Sequence, residues 1–156
     1  MVLVALTLMA IVITLGFLLD VSLVLIKKQQ LQSAAELGVS AGGGFVVQAI
    51  VDQGKTPAEV QDAAFANQVI DLTKKYIKLN LDTHESWSKL SIDNIAEITY
   101  PKERNDCTNA TSTDVLVEAN LTVPHTFLFG GLLKTLGGKE SIDLKSNAKY
   151  RITICP

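Results

Sequence analysis

The sequence predicts an α+β protein: a long apolar N-terminal helix, a second amphipathic helix and a small antiparallel sheet of about three strands. Three observations predict it. Residues 1–26 carry a single charge, Asp20, and 21 of the 26 are apolar. Helical spacing of apolar and small residues continues past Lys27 and Lys28. Beyond residue 82 the period changes from about 3.6 to two. Two regions follow: 1–53, the long helix, and 54–156, an exposed α+β domain.

The overall 47% hydrophobic content of the 156 residues is therefore an average of two unlike parts. Without residues 1–26 the apolar share falls to roughly 40%, leaner than a typical soluble domain. The net charge is -2 with 14 basic and 16 acidic side chains, which argues against a nucleic-acid binder. No second long apolar run is present, so a polytopic transporter is excluded. The composition is also too apolar for an intrinsically disordered chain.

The first run is long enough to cross a hydrocarbon core of ~30 Å as a helix. It has no basic head and no Ala-x-Ala site after it, so it reads as a retained segment rather than a cleaved signal peptide. In 27–41, Leu31, Ala34, Ala35, Leu37, Gly38 and Ala41 continue one face, and their small size permits close helix approach. Asp20 is the only acid in the run, and position 5 is Ala5. A carboxylate in lipid is costly. It reads either as a boundary residue reaching water or as the partner of a neighbouring subunit's terminal amine or lysine. Gly42, Gly43 and Gly44 mark a flexible point in this helix or its end, and 45–51 adds one or two turns.

Gly54 and Lys55 read as a stop. Thr56-Pro57-Ala58-Glu59 is a helix start, with Thr as N-cap, Pro in the first turn and Glu three residues after the cap. The second helix should run to about Leu79. Strands are expected over 89–100, 114–123 and 140–155, where alternate residues are apolar; Asn94 breaks the parity of the first. The polar stretch 101–113 reads as a loop. The apolar stretch 127–136, FLFGGLLKTL, reads as a short helix or a subunit-contact loop, ended by Gly137 and Gly138.

Little in the chain suggests chemistry. Cys107 and Cys155 form an even pair in a part placed outside the membrane, so a disulfide is expected. It would close a loop of about 48 residues and stabilise the fold by about 3–4 kcal/mol. No further ligand lies near them for a metal, and no cofactor motif occurs: the triple glycine lacks a following Gly-Lys-Ser/Thr. His84 and His125 belong to no nucleophile or metalloprotease motif and read as surface or loop residues. Asp114, Glu118 and Asp143 read as solvated strand-face acids, and Trp87 as packing under the helix. No catalytic constellation is visible, so an enzyme is not expected. Asn109 and Asn120 begin two sequons and are candidate glycan acceptors; Asn109 falls in the exposed loop.

Leu15-Gly16-Phe17-Leu18-Leu19-Asp20-Val21, followed by Lys27-Lys28-Gln29-Gln30-Leu31-Gln32-Ser33-Ala34-Ala35-Glu36, resembles the N-terminal region of the TadE/TadG-like proteins of tight-adherence pili, within the type IV pilus superfamily. Ala63-Ala64-Phe65-Ala66-Asn67 is similar to that family's second helix, and Val123-Pro124-His125-Thr126-Phe127 with the final strand around Ala148 to its C-terminal pattern. The resemblance implies an exported pilin-like subunit whose helix is held in the membrane before assembly. Its partners would be copies of itself, the pilus assembly machinery and a prepilin peptidase, with no nucleic acid. Met1 would be the processed first residue, or the chain lacks its leader. Ala5, where type IV pilins carry an acid, departs from the pattern and puts amine-to-glutamate registration in doubt.

The expected function is thus a structural subunit of a cell-surface filament. Leu3, Leu6, Ile13, Gly16, Phe17, Asp20, Leu31, Ala34, Ala35 and Gly38 are the expected helix-packing residues of its core. A minor priming or tip protein of the same kind of machine is one alternative. A membrane-anchored extracellular binding module is another.

Overall fold

The structure, a computed structural model, describes residues 2–84, 87, 89–104, 113–135 and 137–154. The chain is α+β. A 50-residue helix, α1 (Val2–Val51), leads into α2 (Pro57–Val60), α3 (Ala63–Asp82), the single turn α4 (Ile92–Ile95), β1 (Ala96–Arg104), β2 (Thr113–Thr126), α5 (Gly130–Thr135) and β3 (Ser141–Ile154). The sheet is an antiparallel meander in the order β1-β2-β3, with β2 central.

The two halves of α1 live in different surroundings. From Leu31 to Ala49 it is the spine of the domain. Leu31, Ala34, Ala35, Gly38, Val39, Gly42, Gly43, Val46 and Ala49 are all buried, at the three- and four-residue spacing of one helical face. That face sits between α3 and the β2–β3 half of the sheet, while α3 covers β1. Leu37, expected on the face, is 49% exposed: the buried stripe runs through Gly38 and Val39 instead.

The glycines are close-approach positions within an unbroken helix, which corrects the expected flexible point. A Cβ at Gly38 would meet the Ile77 side chain and the Thr73 carbonyl, one at Gly42 the Thr73 hydroxyl, and one at Gly43 the Tyr150 ring. Removing the side chain lets α3 and β3 approach α1 from two sides. Of the glycines in α1, only Gly44 faces open space.

The second helix is broken in two. Thr56 and Glu59 form the expected capping box: the Thr56 amide donates to Glu59 Oε2 at 2.8 Å, and the Glu59 amide to Thr56 Oγ1 at 3.4 Å. After one turn Asp62 caps a second start, accepting from the Ala64 amide at 3.1 Å. α3 then presents Phe65, Val69, Thr73, Ile77 and Leu81 inward. Tyr100 ties β1 to this corner by donating to the Val60 carbonyl at 2.7 Å.

The first strand starts later than alternation predicts. Ile92 and Ile95, three apart, form the inner side of one helical turn, and β1 begins at Ala96 and runs on through Arg104. In β2, Val115, Val117, Ala119, Leu121 and Val123 all face the helices and are buried. Their cross-strand partners in β3 include Ile152, Ala148 and Leu144, so one face of the sheet is apolar and the other polar. On the polar face Glu118 departs from the expected solvated acid: it is buried, ion-paired with Lys149 at 3.4 Å and bonded by Asn147 at 2.8 Å. Asp143 is exposed as expected.

Candidate functional site

The chain's most distinctive arrangement is where α1 emerges from the domain. One helical turn of α1 organises a band of polar and aromatic groups. Lys27 Nζ lies 3.3 Å from His125 Nδ1 and donates to it, and stands 5.6 Å from the centre of the Trp87 ring. Gln30 accepts from Trp87 Nε1 at 2.9 Å and reaches His84 Nδ1 at 3.4 Å. Trp87 is buried under the helix, as expected. Lysine, tryptophan and histidine at the end of an apolar run are groups suited to a membrane–water boundary.

His125, which the sequence reads as a surface or loop residue, stands in β2 with only 6% of it exposed. Burial, then the Lys27 ammonium, hold its imidazole below the ordinary value; the Asp20 carboxylate partly opposes them. With Nδ1 accepting from Lys27, the neutral ring carries its proton on Nε2, which has no hydrogen-bond partner among the described residues. The Phe127 ring meets His125 edge-on at 5.8 Å.

Two turns toward the N-terminus from this band, Asp20 is 1% exposed. Its carboxylate accepts from the amides of Leu128 at 2.7 Å and Phe129 at 3.0 Å. One further turn up, Gly16 receives the Phe129 ring, whose atoms lie 2.8–2.9 Å from where a Cβ would stand. The Asp20 carboxylate is thus satisfied within its own chain. Neither expected reading, a boundary residue reaching water or a partner for another subunit, describes this arrangement. The stretch after β2 is likewise an intrachain contact: it runs along α1 toward the helix N-terminus, from Lys27 past Asp20 to Gly16, and is followed by α5. The sequence carried both halves of this joint, Gly16 four residues before Asp20 and the apolar 127–136 stretch. Nothing in one-dimensional spacing paired them, because they stand 108 residues apart.

The other expected packing residues divide into two groups. Leu31, Ala34, Ala35 and Gly38 are fully covered by α3 and the sheet. This corrects the expectation that they face other copies: their own chain occupies that face. Leu3, Leu6 and Phe17 are more than half exposed, and Ile13 is partly covered. Asn120 stands in mid-strand on the polar face, half-buried and bonded by Asn147. Cys107, Cys155, Asn109 and the Asp114 side chain lie outside the described residues.

An 18-residue window of α1 reaches a mean hydropathy of 2.8, and the helix is long and apolar enough to cross a membrane or to serve as an export signal. Among the described residues no group of three His, Cys, Asp or Glu side chains could hold a metal. No protein-family model, curated protein or solved structure matches this chain.

Proposed function

We propose that the protein is the structural subunit of an extracellular pilus-like filament, held in the membrane by α1 until assembly. The observation that supports this reading is the uncovered upper half of α1. Leu8, Met9, Ile11, Val12, Leu15, Phe17, Leu18 and Leu19 are each more than half exposed; the chain itself covers the helix here only along the face of Gly16 and Asp20. Exposing such a rod to water would cost on the order of 10–20 kcal/mol. It must be surrounded by lipid or by apolar helices of other copies. Because the same helix is the rigid spine of the domain, a bundle of these rods would fix the orientation of every domain around it.

One observation favours the competing reading of a monomeric membrane-anchored module. The small-residue face that sequence spacing offered to neighbouring subunits is used inside the chain. In the filament reading, contact between copies therefore falls to residues 2–19 and to the outer side of α1, where Leu25, Lys28, Gln29 and Ser33 line a shallow groove.

Electron microscopy of material sheared from the surface of cells producing the chain, with antibody against the sheet domain, tests this. Thin fibres made mostly of this chain are the expected result. Sparse labelling of fibres built from another protein would identify a minor subunit. Recovery only as a detergent-soluble monomer would establish the anchored module.

A further inference from the structure

We propose that the segment from Phe127 to Leu133 is a second membrane-embedded element, which sits in the phospholipid leaflet beside α1 with Leu128 among the acyl chains. The inference rests on the part of the preceding reading that places α1 in a membrane, and not on filament assembly.

Depth along α1 carries it. Lys27 marks the boundary band, with Trp87 and His125 gathered on it. Asp20 is seven residues toward the N-terminus, about 10 Å along the axis, and Gly16 about 16 Å. The outward faces of α1 at those levels are apolar and more than half exposed: Leu15, Phe17, Leu18 and Leu19. Whatever surrounds these side chains also surrounds the segment docked beside them. If α1 is immersed to Lys27, Leu128 and Phe129 are immersed with it.

The composition and bonding of the segment suit that position. Residues 127–133 carry no charge. Leu128 projects away from the protein at 69% exposure, while the Phe129 ring is seated on Gly16. Irregular backbone in a hydrocarbon layer needs its amides satisfied. Asp20 does this for Leu128 and Phe129, the Phe127 amide donates to the Glu140 carbonyl and the Gly130 amide to the Phe127 carbonyl. The same two bonds give the Asp20 carboxylate its partners, so one contact resolves two polar groups that neither element could bring into lipid alone. Charge returns at Lys134, which pairs with Glu140 at 3.2 Å where the segment turns back toward β3. The occupant that fits is a lipid leaflet rather than a soluble ligand. The exposed surface is apolar, it has no enclosing walls, and it is continuous with the apolar surface of α1.

The test is photo-crosslinking of the full chain in phosphatidylcholine vesicles. A benzophenone amino acid is placed singly at position 128, at position 19 on α1 and at position 122 on the polar face of the sheet. Lipid adducts at 128 and 19, with none at 122, are expected. Adduct at 19 but not at 128 overturns the inference while leaving α1 in the membrane. A protein–protein adduct at 128 in place of lipid also overturns it, by showing that a second copy covers Leu128. No adduct at either 19 or 128 overturns the membrane placement and the inference with it. In the Asp20→Leu background the adduct at 128 should fall while that at 19 persists.

Discussion

Asp20 shows how a residue that looks costly by itself can be the keystone of a joint. A carboxylate in an apolar helix reads from sequence as a liability or as an intersubunit partner. Here it receives two backbone amides of its own chain. Leaving a buried donor without an acceptor costs about 1–3 kcal/mol, so Asp20→Leu should release the segment from α1. Asp20→Asn keeps one acceptor oxygen and should have a smaller effect. Amide hydrogen exchange at Leu128 and Phe129 reads this directly: protection should fall in the order wild type, Asp20→Asn, Asp20→Leu. Equal protection in all three would remove Asp20 from this role. His125 makes a second residue-scale prediction. Its imidazole is held below the ordinary ~6.5 in the folded chain, first by burial and then by Lys27. As pH falls, the unfolded chain therefore takes up this proton before the folded one. Its contribution to stability is intact above about pH 6.5 and declines as pH falls below that value, toward the folded-state value. Denaturant titrations of the full chain in detergent should show this slope in the wild type and a flatter one in His125→Gln. The same slope in both would show that His125 does not set it.

At the scale of elements, packing decided what local pattern could not. The 26-residue apolar run, the Thr56–Glu59 capping box, the odd-parity valines of β2 and the alternation of β3 were all legible, because each is a periodicity or a cap that one element's own burial imposes. Three features were not. The glycines at 42–44 carry the composition of a hinge, yet the helix passes straight through them because Thr73 and Tyr150 need the space. Asp62 restarts α3 after a single turn, a second cap overshadowed by the stronger signal at Thr56. Ile92 and Ile95 fitted strand alternation at only one of the two positions, and the break at Asn94 marked the helical turn. Of the candidate site, Gly16, Asp20 and the 127–136 stretch stood out singly, but their pairing is a long-range contact and leaves no local trace. The glycines give a paired prediction. Gly38→Ala pushes a methyl against Ile77 and the Thr73 carbonyl and should destabilise the domain by about 1–3 kcal/mol. Gly44→Ala faces open space and should stabilise it by up to about 1 kcal/mol through helix propensity. Chemical denaturation of both variants in one detergent checks the signs; equal effects would mean that α1 and α3 do not approach as closely as the structure has them.

On the scale of the whole molecule, α1 joins two bodies with opposite solvent requirements. The domain buries its core around Leu31 to Ala49, and no buried side chain of that core comes from residues before Leu31. Among the described residues before Lys27, only Gly16 and Asp20 are buried. A chain beginning at Lys27 should therefore keep the spine, α3 and the sheet. It should be monomeric in size-exclusion chromatography without detergent and retain the far-UV circular dichroism of a mixed α and β fold. What it should lose is local: without Asp20 and Gly16, the amides of Leu128 and Phe129 should exchange freely while those of β2 and β3 stay protected. The full chain, by contrast, should remain in detergent micelles or vesicles, or self-associate when they are withdrawn, because its own chain covers the rod of residues 2–19 only around Gly16 and Ile13. An unfolded or aggregated truncation would show that the apolar segment also stabilises the domain, through the Asp20 joint, and that the two bodies fold as one. A full chain that stays monomeric in plain buffer would show that residues 2–19 need neither lipid nor partner, and would remove the physical ground for both membrane storage and filament assembly.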